Sequence, residues 1–187
     1  TPSSGPMHGF LVTHAEAISI AAFLTLGDAA APRYRPTVHY AYHPCDDAVL
    51  SLHELAGRHW RVQTRQRLLR DDIDSGIDEL GVLLMGELPR GRGGYWYGSQ
   101  LSIGQARALA PTNSATTLQV AAGVLAGLAW ALRHPREGIV EPDDMDFAEV
   151  LAVARPYLGP MVGVYTDWTP LADRGWLFDE PLERSDP

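Results

Sequence analysis

The sequence contains no lysine: all fifteen of its basic residues are arginine. No Schiff-base lysine can therefore come from this chain. Cysteine is almost as scarce. Cys45 stands alone, which rules out an internal disulfide and points to a reducing, cytoplasmic setting. The opening Thr1-Pro2-Ser3-Ser4-Gly5-Pro6 has no initiating Met and no basic segment leading into an apolar run. It is read as the start of a piece cut from a longer polypeptide. Long apolar runs are missing too. Leu118 to Leu132 carries Gln119 and ends at Arg133, short of the roughly 20 residues of a spanning helix, so no membrane segment is expected.

What is present fits one domain, residues 1–187, because 45% of the 187 residues are apolar, enough for a single core. The formal net charge is −8. Such a field repels phosphate backbones, so nucleic acid is not the expected partner, while it favours cationic small molecules or basic partner surfaces. Gly91-x-Gly93-Gly94 lacks the spacing and the strand-to-helix context of a dinucleotide fingerprint. Gly98-Ser99-Gln100 is not a Gly-x-Ser-x-Gly nucleophile elbow.

Phe10, Val12 and the Thr and Ile residues between His8 and Ile20 read as an extended segment at first. A second strand is predicted over Tyr34 to Tyr42, with Pro36 near its start or on an edge. Asp46 or Asp47 then caps a helix that Gly57 stops. Trp60 to Leu69 has no clean period, and strand is preferred over helix there. Leu80 to Met85 and Tyr95-Trp96-Tyr97 flank the turn chemistry of residues 89–94, which makes a β-hairpin. Ser102 to Ala110 is a short helix before Pro111. Ser114 or Thr116 starts a long helix to Leu132 with Leu118, Ala121, Leu125, Leu128 and Leu132 on its apolar face. Gly123 and Gly127 in that helix admit a close backbone, in the core or across a subunit boundary. A last helix covers Pro142 to Ala154 and a last strand Met161 to Tyr165, before a charged, turn-rich tail beyond Leu171. Strands and helices that do not alternate strictly imply an α+β fold, its mixed or antiparallel sheet packed by helices mainly on one face.

Several clusters carry candidate chemistry. His39, His43, Cys45, Asp46, Asp47 and His53 crowd together, but their spacing matches no standard metal site, and none is expected. Cys45 is read as a buried, inert thiol. Arg90 and Arg92 could grip a phosphate, yet a solvent-exposed hairpin tip explains them at no extra cost. Thr13-His14-Ala15-Glu16 is more informative, since residues two apart in an extended segment bring imidazole and carboxylate within reach of one amine. The same spacing also fits a strand end that merely carries two polar residues. Asp78 and Glu79 precede an apolar strand, either as solvated entry residues or as buried ligands for cationic charge. Trp96 is read as structural.

The blocks Gly9-Phe10-Leu11-Val12-Thr13-His14-Ala15-Glu16-Ala17-Ile18-Ser19-Ile20 and His39-Tyr40-Ala41-Tyr42-His43-Pro44-Cys45-Asp46-Asp47-Ala48 resemble bacterial homospermidine synthase. So do Gly76-Ile77-Asp78-Glu79-Leu80-Gly81, Tyr95-Trp96-Tyr97-Gly98-Ser99, Leu118-Gln119-Val120 and Tyr165-Thr166-Asp167-Trp168-Thr169-Pro170. The resemblance covers nearly the whole chain. It implies a longer homodimeric polypeptide in which a Rossmann-type domain upstream binds NAD and this saccharopine-dehydrogenase-like portion helps enclose a polyamine. It further implies an oxidation of putrescine to an imine, loss of ammonia, addition of a second amine and return of the hydride. On that basis Glu16 is the ammonium partner, His14 its orienter or proton acceptor, and Asp78 a third substrate contact. An aromatic loop and further acidic contacts belong upstream, so the isolated chain is expected to be inactive. The competing readings are an oxidoreductase of the saccharopine or carboxyspermidine dehydrogenase type and a non-catalytic scaffold and dimerisation module.

Overall fold

The computed structural model describes residues 1–89 and 91–169. Arg90 and residues 170–187, including the charged tail expected after Leu171, lie outside the described residues. Strand β1 (Phe10–Val12) leads into helix α1 (Ala15–Phe23), followed by the hairpin of β2 (Leu26–Asp28) and β3 (Ala31–Tyr34). Strand β4 (Tyr40–Tyr42) returns antiparallel to β1, pairing Phe10 with Tyr42 and Val12 with Tyr40. Helix α2 spans Asp46–Gly57. The main sheet joins β5 (Ile77–Leu88), β6 (Gly91–Ser102) and β7 (Met161–Thr166), antiparallel and in that order. Between β6 and β7 lie α3 (Ile103–Leu109), α4 (Ala115–Arg133) and α5 (Phe147–Ala154). The fold is α+β, as its element pattern predicts.

Local chemistry explains these elements. Ser102 caps α3 in a full capping box, its hydroxyl accepting from the Gln105 amide while Gln105 reaches back to the Ser102 N–H, which satisfies two orphan donors at once. Ser114 caps α4 by accepting from Thr117 N–H. Asp146 caps α5, accepting from Ala148 at 2.8 Å and Glu149 at 3.2 Å. The expected helix from Pro142 is therefore two pieces, a 3-10 turn at Pro142–Asp144 and α5.

Four expectations need correction. The segment to Ile20 stays extended only to His14, because Ala15, Glu16, Ala17, Ala21 and Ala22 favour helix over the local Ile residues. The strand over Tyr34 to Tyr42 divides, since Pro36 has no N–H for a ladder and pairing ends at Tyr34. Trp60 to Leu69 forms no strand: His59 and Trp60 take positive φ of 53° and 61° directly after α2, and the Arg-rich stretch finds no partner strand. The buried edge of α4 is Leu118, Ala122, Ala126 and Trp130, while Leu125, Leu128 and Leu132 are exposed.

That edge runs at four-residue spacing, and its alanines let α5 come close: Ala122, Ala126 and Ala154 form one buried cluster. A second cluster joins Leu101 of β6 to Ala106, Ala115 and Leu118, so α3 and α4 cover one end of one sheet face. Nothing lies within 4 Å of a Cβ built on Gly123 or Gly127. Among the described residues, then, these glycines serve no core approach. By length and composition α4 is apolar enough to cross a membrane; its Leu118-to-Trp130 edge is buried, although only 33% of its most apolar stretch is covered.

Candidate functional site at the start of the first helix

His14 is the last extended residue before α1, with φ −138° and ψ 145°, and its side chain makes no capping bond. Its imidazole is free to do something else. The ring lies flat on Tyr40, with centroids 4.3 Å apart and planes inclined by 13°. Its Nδ1 meets Glu16 Oε2, from the first turn of α1. Both side chains are about half exposed, at 45% and 55%, so the pair contributes little to stability in water. Its significance is chemical. With a carboxylate at Nδ1, that nitrogen carries the hydrogen in the neutral ring, and Nε2 keeps the lone pair that accepts a proton. The two side chains expected to face the same way do meet, but across a helix start and not along a strand.

Asp78 and Glu79 leave β5 on opposite faces of the sheet. Asp78 Oδ2 accepts from Thr116 Oγ1 at 2.5 Å, on the side covered by α4. Glu79 lies on the other side, where it accepts from Ser3 Oγ at 2.6 Å, Ser3 N–H at 3.3 Å and Gln100 Nε2 at 2.7 Å. Burial by itself would raise the Glu79 pKa, but the bonds from Ser3, Thr1 and Gln100 outweigh it and hold the carboxyl below its usual value of 4.5. Glu79 is thus a clasp for the first residues of the chain, and Asp78 is the carboxylate left facing the helices. No contact among the described residues joins Asp78 to the His14–Glu16 pair.

The Glu79 clasp has a pH signature. A carboxyl whose folded pKa is depressed stabilises the fold fully above its unfolded value and loses that contribution as pH falls through the folded value. Urea midpoints should therefore fall as pH drops below about 4.5, and Glu79→Gln should flatten that part of the profile. An unchanged acid profile would show that the clasp carries no weight.

A cavity of about 410 Å³ opens where residues 1–9 and β4 cross the sheet. Tyr42, His43, Leu83, Trp96, Val164 and Trp168 form much of its wall, and His14, Glu16 and Asp78 line neither it nor a smaller 250 Å³ cavity beside α2. Trp96 reaches across its neighbour strand because Gly81 has no side chain: a Cβ there would come within 2.4 Å of the indole. Among the described residues no three His, Cys, Asp or Glu side chains converge on a metal position. His43 Nδ1 instead meets the His8 carbonyl at 2.5 Å. Cys45 is exposed at the N-cap of α2, not buried, and Asp46 and Asp47 fall in the first turn instead of capping it. Tyr40 escaped the sequence reading. The only signal for it is the alternation of Tyr40 and Tyr42 around Ala41.

Comparison with known proteins places this architecture. The chain belongs to the saccharopine dehydrogenase C-terminal domain family, whose model matches residues 2–166. Along its whole length it is 59% identical to a homospermidine synthase of Blastochloris viridis and 53% identical to one of Mesorhizobium japonicum. The crystal structure of a homospermidine synthase from Legionella pneumophila in complex with NAD superposes over the whole chain with a TM-score of 0.85 at 53% identity. The chain spans 39%, 38% and 40% of these three proteins, respectively.

Proposed function

We propose that this chain is the amine-handling, C-terminal portion of a homospermidine synthase, an NAD-dependent transferase that joins the aminobutyl group of putrescine, or of spermidine as donor, to a second putrescine. The observation that carries the proposal is an identity of 53% and 59% with two such enzymes in alignments that cover the whole chain. NAD supplies hydride chemistry when bound. The glycines at 91, 93 and 94 lie in β6 and not at a strand-to-helix turn, so among the described residues they form no dinucleotide cradle, which supports a cofactor site in the portion upstream.

The chain's own residues handle charge and protons. Glu16 holds the ammonium of the diamine, its Oε2 shared with His14. His14 Nε2 accepts the proton that the reacting amine must lose. Asp78, fixed at one oxygen by Thr116, is the third contact, for the distal ammonium. A net charge of −8 favours such a guest over nucleic acid. The exposed Leu80, Val82 and Leu84 of β5 and the exposed Val124, Leu125 and Leu128 of α4 support burial of these faces in a homodimer or against the upstream portion. We place the enzyme in the cytoplasm, outside any membrane, and expect this portion alone to be inactive.

The test is an assay of the chain joined to its upstream portion, with putrescine and NAD. Two putrescines should give one homospermidine and one ammonia with no net change in NADH. Steady consumption of NAD(P)H with a keto or aldehyde substrate, and no homospermidine, would instead establish the dehydrogenase reading.

A further inference from the structure

We infer that Tyr40 is a positioning residue for the reaction, holding the His14 imidazole in the plane in which its Nε2 can take a proton from the amine. The inference rests on the assignment of His14 as proton acceptor. Three observations converge on it. Val12 pairs with Tyr40 at the last step of the β1–β4 ribbon. His14 keeps extended dihedrals, so its side chain continues the alternation of β1 and leaves on the same face as Val12. His14, two residues past the end of β1, is therefore placed like a diagonal cross-strand neighbour of Tyr40, a separation that only large side chains bridge, and the two do so by stacking at 4.3 Å.

The consequence is orientational. The torsion that rotates a histidine ring about its Cβ–Cγ bond has a broad well, and the exposed Glu16 carboxylate can follow Nδ1 as the ring turns, so that contact alone lets Nε2 sweep an arc. A flat aromatic partner removes that freedom without using either ring nitrogen. Glu16 then keeps the hydrogen on Nδ1, Tyr40 fixes the plane, and the direction of the Nε2 lone pair follows. The contact needs only the ring face and not the phenol hydroxyl.

The experiment compares Tyr40→Leu, Tyr40→Phe and His14→Ala in the full-length polypeptide, with kcat and KM for putrescine measured separately. Tyr40→Leu should lower kcat by about 10- to 100-fold, the scale of a misaligned reacting group, with KM changed less than about two-fold. Tyr40→Phe should restore most of kcat. Should the leucine variant fail to fold, Tyr40→Met takes its place with the same expectation. Parental kcat in the aliphatic variant, a loss confined to KM, or a phenylalanine variant as impaired as leucine would overturn the inference. Parental activity in His14→Ala would instead remove the proton-acceptor assignment on which it stands.

Discussion

Glu16→Gln in the full-length polypeptide is expected to cut homospermidine formation by at least about 100-fold, the low end for loss of a charged group that acts with a general base. The amide has the size and shape of the carboxylate, so the start of α1 should fold unchanged. What disappears is the charge. A neutral group at this position offers the diamine no counter-charge, and it no longer requires the hydrogen of His14 to sit on Nδ1. Homospermidine quantified after single and multiple turnovers checks this, with the melting temperature as a folding control. Near-parental turnover would mean that the His14–Glu16 contact is only a feature of the helix start.

The second large effect concerns the fold. Leu101 is fully buried at the end of β6 and packs against Ala106, Ala115 and Leu118, where small neighbours leave little that can collapse into a void. Leu101→Ala should cost about 3 kcal/mol, within the 2–5 range for such truncations, read from urea titration. Ile139, 99% exposed, is the counterpart: Ile139→Ala should stay within about 0.5 kcal/mol of the parent. Equal effects at the two positions would show that the cluster linking β6 to α3 and α4 is not the core.

Where chemistry is local, the sequence was legible. Ser102 with Gln105 and Ser114 before an apolar run mark helix starts by hydrogen bonds that close within one turn, and both helices start there. The hairpin was legible from its turn residues, although its strands extend further on both sides. Legibility failed where the deciding interaction is remote. Nothing near Tyr34 to Tyr42 shows that pairing partners change from β2 to β1 on either side of Pro36. The apolar stripe of α4 contains two candidate edges, and only the approach of α5 selects the alanines over the leucines. Apolar content likewise does not separate a core from a surface meant for a partner, so a sequence rich enough for one core leaves Leu125, Leu128 and Val82 exposed.

The site divides in the same way. His14 and Glu16 are two apart and their pairing was legible, but through a strand geometry that the helix start replaces. Asp78 and Glu79 were ambiguous by sequence, and the sheet separates them: one faces α4, the other clasps Ser3. Tyr40 was beyond reach, because its contact with His14 depends on the register of two strands far apart in the chain.

The most direct measurement is a crystal structure of the full-length polypeptide with NAD and putrescine bound. One nitrogen of the diamine should lie within about 3 Å of both His14 Nε2 and a Glu16 carboxylate oxygen, with the imidazole still flat on Tyr40. A diamine held entirely by other carboxylates, with His14 and Glu16 turned to bulk water, would contradict the assignment of amine handling to this chain.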